Sequence, residues 1–422
     1  MQGLHLIADA YALGCGIDLV TDAARLETLC ADAARVAGLK VLNTSFHAFD
    51  APSSENSHGT SLPSGGVTGT VLLAESHAAI HTWPELNAAT LDVYVCNYLQ
   101  DNSAKAQSLF DALLAALKPA RTRIERVIRG DLSVPDEASG PLELEWLNKE
   151  MAYGLRTQAH ILSEKSPWQE ISIFDTQTFG LVMKIDDHFM TSERDEFFYH
   201  EALVHPAAIV HPNPRSALII GGGDGGTARQ LLRHPDIKRI TLVELDEAVL
   251  RTSRTYLGNI HQGSLDNPRV NLHIGDGLQY LSEQNDHHDL ILFDLTDPDT
   301  PAHPLYTPNA FTLAKQRLST GGIFVAHIGS PTFGAERVRS LIAALRSTFA
   351  HVRLYGTYIP LYGCYWCMAM CFDAPDRDPL QIDEKTVEER LTQRGITGLS
   401  LYSPRMHTGL FALPAFVEAM LK

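Results

Sequence analysis

Five carboxylates follow apolar runs in the second half of the chain: Asp224 in SALIIGGGDGGTARQLL, Glu244 in LVELD, Asp276 in IGDG, and Asp294 and Asp297 in FDLTDP. One acidic residue at a strand end is an ordinary cap or turn former. Five at the carboxyl ends of successive strands converge on a single crevice. Gly221, Gly222, Gly223 and Gly225 sit where a strand turns into a helix, the geometry that lets a nucleotide approach the backbone. Glu244 lies 20 residues beyond Asp224, where an acidic side chain can accept from ribose hydroxyls. Asp224 lies inside the glycine loop, and a carboxylate there repels phosphate but attracts an ammonium group. The implied ligand is an adenosine nucleoside that carries an amine.

A second group of reactive types stands in LLAESHAAIHTWPE, where Glu75, Ser76, His77, His81, Trp83 and Glu85 surround a strand end. A Ser–His pair suggests a hydrolase, yet the chain has no nucleophile-elbow GxSxG and no clear order of triad partners. Cys96 closes the strand LDVYVC, where a thiol is either a reactive group or a small buried hydrophobe. Cys364, Cys367 and Cys371 have a spacing that suggests a metal site. Their surroundings, GCYWCMAMC, are aromatic and apolar with no second Cys or His pair nearby, so buried strand cysteines and no metal are expected.

The elements that must position these groups fall into two blocks. RGDLSVPDEASG interrupts the hydrophobic periodicity and marks a linker over 129–142, after a first domain over 1–128. In that first domain the spacing predicts helices over Ala23–Ala37 and Ser103–Leu117 and strands over Lys40–His47, Val67–Ala74 and Ala88–Cys96, an α+β layer. The Ser/Gly/Pro/His-rich stretch between Phe49 and Thr68 reads as a loop. Beyond the linker, Gln169–Ile185 has the pattern of a β-hairpin, which places a small β subdomain over 143–205. From 206 to 422, strands over Ser216–Ile220, Ile240–Leu245, Leu290–Phe293 and Gly322–His327 alternate with helices. The fold class expected is therefore α/β, with a doubly wound, Rossmann-like parallel sheet following the α+β layer and the hairpin subdomain.

The 422 residues carry 34 basic and 50 acidic side chains, a formal charge of −16. That balance disfavours nucleic acid and anionic membrane as partners, since both call for a basic surface, and permits a cationic substrate. No run approaches the ~18 apolar residues of a membrane span. Six cysteines in a chain of this length form no disulfide framework. A cytoplasmic location is expected.

From about Trp146 onward, ERDEFFYHEALVHP, LIIGGGDGGTARQLL, VELD, GDG and DLTDP occur in the order found in spermidine synthases, and this part of the chain resembles that aminopropyltransferase family. The resemblance implies decarboxylated S-adenosylmethionine as donor, with Glu244 on its ribose, Asp276 near adenine, and Gln169 and Asp224 near its aminopropyl end. It implies that Tyr199, Asp294 and Asp297 hold and activate the acceptor amine, putrescine or another diamine, with Tyr362 nearby. An ammonium of pKa ~10.4 is a free base in fewer than about one molecule per thousand at pH 7, so a carboxylate that binds the cation and then takes its proton removes a cost of roughly 4–5 kcal/mol. Asp294 is the expected base, and no metal is required. Met190 stands where the family usually has Gln, and Thr300 where it has Gly; either can change acceptor choice. His200 and His205 are read as structural.

FHAF, GVTGTVLLAESHAAIHTWPE and LDVYVC, within residues 3–128, resemble the small prokaryotic S-adenosylmethionine decarboxylases. The resemblance implies self-cleavage between Glu75 and Ser76: the hydroxyl attacks the preceding carbonyl, and elimination from the ester leaves a pyruvoyl group derived from Ser76. It implies His81 as the base that removes the serine α-proton, Thr68 as the hydroxyl assisting the acyl shift, Cys96 as the proton donor after CO2 leaves, and Glu85 and Phe49 as contacts to ribose and adenine. A pyruvoyl decarboxylase of ornithine or arginine, or a non-catalytic module beside an active transferase, are the alternatives for this half. Both families form oligomers, so a homodimer or larger assembly is expected.

Overall fold

Alternation of period two is the organising pattern of the first block, and a computed structural model describes how it is used over residues 3–49, 65–74, 76–97, 101–129, 140–298 and 300–421. Contacts divide the chain into two units, Met1–Ser139 and Gly140–Lys422. The linker stretch 130–139, the loop 50–64 and Glu75 lie outside the described residues.

In the first unit, β1 (Gly3–Leu13), β2 (Val41–Ala48), β3 (Val67–Leu73), β4 (Ser76–Trp83), β5 (Ala88–Cys96) and β6 (Pro119–Arg129) form one antiparallel sheet in the order β2-β3-β4-β5-β1-β6. Leu4, Leu6, Ala8 and Ala10 of β1 and Leu91, Val93 and Val95 of β5 are buried, and they pack with Leu26 and Cys30 of one helix and Phe110 and Leu113 of another. After the short α1 (Ile17–Thr21), those helices are α2 (Ala23–Val36) and α3 (Ser103–Leu117). α2 begins at Asp22, whose carboxylate accepts from the amides of Ala24 and Arg25, and this supplies the start signal that the apolar spacing alone lacks. The intervening residues His5, Ile7, Asp9 and Tyr11 retain exposure on the other side of the sheet.

The second unit opens with a two-stranded ribbon, β7 (Leu142–Trp146) and β8 (Ala152–Arg156). Next come β9 (Ala159–Lys165), β10 (Glu170–Thr176), β11 (Gly180–Ile185) and β12 (His188–Ser192), an antiparallel sheet ordered β12-β11-β10-β9. A seven-stranded sheet then runs β15-β14-β13-β16-β17-β19-β18, from β13 (Ser216–Gly221), β14 (Arg239–Glu244), β15 (Val270–Ile274), β16 (His288–Asp294), β17 (Leu318–Gly329), β18 (His351–Ile359) and β19 (Cys364–Phe372). Five of these strands are parallel neighbours, and β19 runs antiparallel to both β17 and β18, which makes the sheet mixed at one edge. The chain lays β14 and β15 on one side of β13 and returns to lay β16 on the other, which creates the switch point where open α/β sheets bind ligands. Gly221 pairs with Asp294 and Glu244 with Ile274, so the strand ends bearing the candidate groups finish at one level.

Cys364, Cys367 and Cys371 are buried thiols of β19, and Cys367 and Cys371 belong to the core on one face of the sheet. The other face is covered by α4 (Glu196–Val210), which is buried along nearly its whole length. Pro206 lies inside α4 and lacks the amide that would serve the carbonyl of Ala202. The Tyr355 hydroxyl of β18 donates to that carbonyl at 3.0 Å instead.

Candidate active site

The glycine loop leads from β13 into α5 (Gly226–Leu232), and at two positions its lack of side chains is a steric requirement. Gly222 has φ +73°, and a Cβ there would meet Asp294 Oδ2 at 2.8 Å. A Cβ on Gly226 would meet the His200 ring at 2.3 Å. The backbone thus passes close beneath two groups that face a cavity of about 140 Å³. Gln169, Tyr199, Gly221, Gly222, Gly223, Asp224, Glu244, Asp276, Asp294 and Tyr362 all line it. Gly225, also at positive φ, turns the loop into α5.

Burial and partners set different charge states on neighbouring acids. Glu244 accepts from the amides of Gly223 (3.1 Å) and Asp246 (3.0 Å), but burial outweighs those bonds and raises its pKa to about 7. Asp276 caps the helix Gly277–Glu283 through the amides of Leu278 and Gln279, so for this residue the capping role and a place in the cavity coincide. Burial also pushes at Asp224, but the adjacent His200 and the Gly226 amide (2.9 Å) more than offset it and hold the acid at about 2. Asp294 has no such balance: burial, with Asp224 nearby, raises it to about 6 despite His200. Its Oδ2 is buried without a hydrogen-bond partner among the described residues.

His200, read from sequence as structural, is instead a wall of this cavity, because α4 carries it against the glycine loop rather than into the core. Its Nδ1 lies 2.7 Å from Glu196 and its Nε2 3.3 Å from Asp224, while Glu196 pairs with Arg229 at 2.7 Å. Burial opposes charge on the imidazole, but the two carboxylates outweigh it and raise its pKa well above the usual value. His200, Asp224 and Asp294 offer atoms within 4.8 Å of one another, close enough to share an ion. The carboxylates of Asp224 and Asp294 can also accept from the N–H groups of an ammonium ion. His205, by contrast, is buried against His234 and Gln230 away from the cavity, and burial lowers it to about 3.

A second cavity of about 100 Å³ shares Met190, Tyr199, Leu295, Thr296 and Tyr362 with the first. Asp297 faces this one, and its Oδ1 is buried without a hydrogen-bond partner among the described residues. His188 Nδ1 stands 3.3 Å from Glu145 and 3.8 Å from Asp297. The Tyr362 hydroxyl donates to the Met190 carbonyl at 2.8 Å, and Asp195 holds the preceding turn through the amide of Leu361 at 2.7 Å. Glu145, His188 and His327 escaped sequence reasoning because they lie outside the motifs that mark the site: Glu145 in β7, His188 at the start of β12 and His327 near the end of β17.

In the first unit the candidate residues form two groups. Ser76 starts β4, and its hydroxyl accepts from the Cys96 amide at 2.6 Å. Thr68 and His81 face each other in register between β3 and β4, 2.6 Å apart, with Phe49 joined by its amide to Gly66 beside them. Glu85 is exposed in the turn after β4. Ser76 and His81 stand five positions apart on a single strand, a separation of about 17 Å that also puts them on opposite faces. Within one copy, strand geometry therefore keeps His81 away from Ser76. The cleavage residue Glu75 lies outside the described residues.

The S-adenosylmethionine decarboxylase family matches residues 4–130, the spermidine synthase tetramerisation domain residues 145–193, and the spermine/spermidine synthase domain residues 196–379. A polyamine aminopropyltransferase of Nitrosomonas europaea is 43% identical over 287 residues, 68% of this chain and 88% of that protein. That of Moorella thermoacetica is 35% identical over 274 residues, 65% of this chain and 93% of its own. A solved spermidine synthase in complex with the transition state analogue AdoDATO superposes with a TM-score of 0.63 at 29% identity, covering 67% of this chain and 95% of the other. The spermidine synthase of Thermotoga maritima gives 0.62, also at 29% identity, covering 67% and 94%. Through its second unit the chain belongs to the polyamine aminopropyltransferase family, and it carries an S-adenosylmethionine decarboxylase domain ahead of that unit.

Proposed function

We propose that the two units catalyse consecutive reactions: the first decarboxylates S-adenosylmethionine through a pyruvoyl group made from Ser76, and the second transfers the aminopropyl group to putrescine, yielding spermidine and methylthioadenosine. The observation that carries the acceptor is the pair of buried carboxylate oxygens that have no hydrogen-bond partner among the described residues, Asp294 Oδ2 in one cavity and Asp297 Oδ1 in the adjoining one. A buried acceptor atom left without a donor is costly, and a diamine brings an ammonium to each. Asp294, raised to about 6, is ionised at neutral pH yet basic enough to take the proton of the attacking amine. Asp224 and Glu244 hold the donor's amine and ribose, with Gln169 and Asp276 at its ends and Tyr199 and Tyr362 flanking the acceptor. The amine displaces methylthioadenosine from the sulfonium carbon, a step that needs alignment rather than a metal.

For the first unit, the fit of a pyruvoyl group rests on Ser76 opening a strand with its hydroxyl fixed by the Cys96 amide, which brings the Cys96 residue beside the cleavage position. When formed, the group supplies an electron sink for decarboxylation. Cys96 then delivers a proton, and Phe49 and Glu85 receive the nucleoside. Since Thr68 and His81 stand at the other end of β4, they serve the Ser76 of another copy, so maturation is a reaction of an assembly. Supplying the purified chain with S-adenosylmethionine, ornithine or arginine and measuring CO2, then adding diamines and measuring methylthioadenosine, tests both halves. An intact 46.4 kDa chain that releases no CO2 sinks the pyruvoyl reading.

A further inference from the structure

The two carboxylates that await the acceptor are the ends of the four-residue segment Asp294–Asp297, and every carbonyl of that segment is held. Gly222 donates to Asp294 O (2.8 Å), His327 Nε2 to Leu295 O (2.8 Å), and the Tyr306 hydroxyl to Thr296 O (2.9 Å). The amide and hydroxyl of Thr300 donate to Asp297 O at 3.1 and 2.5 Å, and its hydroxyl also meets that of Thr296 at 2.6 Å. Tyr306 and His327 are themselves joined at 2.7 Å. A carbonyl only accepts, so Nε2 carries the ring proton and is shared between Leu295 O and the tyrosine oxygen, whose own proton goes to Thr296 O. The ring is locked further by stacking on Trp366, 5.7 Å between centroids, and burial keeps it below its usual pKa and neutral.

Such a segment cannot slide without breaking this set of hydrogen bonds. Its two central carbonyls, Leu295 O and Thr296 O, are held by side chains from β17 and from the 3₁₀ turn His303–Tyr306, neither of which is part of the motif they hold. We propose that His327 and Tyr306 are positioning residues that fix the spacing between the Asp294 and Asp297 carboxylates and thereby set the length of diamine the enzyme accepts. Thr300 secures the far end of the same segment, which gives its replacement of glycine a physical role. The proposal rests on the aminopropyl-transfer reading, in which the acceptor is gripped at both ends.

The test uses the full-length chain with decarboxylated S-adenosylmethionine as donor and three acceptors: 1,3-diaminopropane, 1,4-diaminobutane and 1,5-diaminopentane. In the unmutated protein one length should be preferred by about tenfold or more in kcat/KM, and Tyr306→Phe and His327→Phe should each compress that preference at least about threefold by raising the preferred acceptor's KM, with the donor's KM held within about twofold. His327→Gln, whose amide can still donate to Leu295 O, should restore most of the preference. A variant that keeps its thermal midpoint and transfers aminopropyl groups with an unchanged length preference overturns the proposal and leaves the transfer reading intact. Absence of methylthioadenosine from the unmutated protein with every diamine overturns the transfer reading, and the positioning role with it.

Discussion

The two catalytic units solve the problem of assembling a site in opposite ways. In the second unit, motif residues from Gly221 to Asp294 meet around one cavity because parallel strands deliver their carboxyl ends to the same edge, and Gln169, Tyr199 and Tyr362 join them from other elements. In the first unit, residues only five positions apart are separated, because an antiparallel strand carries a motif along its length and alternates its faces. Closeness in sequence is thus a poor guide within a strand, whereas position relative to strand ends is a good guide across a parallel sheet. The candidate groups of one site line a cavity within a single copy; those of the other lie at two ends of β4, on a sheet whose helices cover one face.

The sharpest way to break this contrast is Ser76→Ala, which should abolish both chain cleavage and CO2 release while leaving transfer from supplied decarboxylated S-adenosylmethionine unchanged, as read by mass spectrometry and methylthioadenosine formation. Asp294→Asn is the mirror experiment: transfer should fall by about 10²–10⁴-fold, the usual contribution of a positioned base, with cleavage and decarboxylation intact. A smaller effect tests the shared first site directly. Ser76→Ala and His81→Ala chains are each expected to remain uncleaved alone, whereas co-expression should let His81 of the former process Ser76 of the latter; no cleavage in the mixture would mean that a single copy must rearrange. The smallest effect is on pH. Asp294 must be ionised to act, and its raised pKa of about 6 means that kcat/KM for transfer should drop about tenfold per unit below that pH, with no acid limb of this origin in decarboxylation.

Most of the second site was legible in the sequence because its chemistry sits where strands end: Asp224, Glu244, Asp276, Asp294 and Asp297 each follow an apolar run, and the structure gathers them. His200 was not, because a histidine in a largely apolar helix looks like core until the glycine loop is seen against its ring. Tyr306 and His327 were invisible for a different reason: they bind backbone carbonyls, a role that leaves no residue pattern. In the first unit the periodicity reveals α2, α3, β2, β3 and β5, whereas β4 passes unread because its polar residues, Ser76, His77 and His81, attract attention as chemistry instead of as one side of a strand. β6 is a sheet edge with four arginines, a composition that gives little strand signal.

The hydroxyl of Tyr355 that serves Ala202 has an evolutionary consequence. Pro206 is tolerable in α4 because a residue on β18 supplies the missing donor, so the two positions should show strong epistasis. Tyr355→Phe alone leaves a buried carbonyl unserved, at a cost of about 1–3 kcal/mol, whereas in a Pro206→Ala background the helix provides its own amide and the same change should cost less. One hydrogen bond thus ties a helix position to a strand position 153 residues away, so neither can be changed without regard to the other.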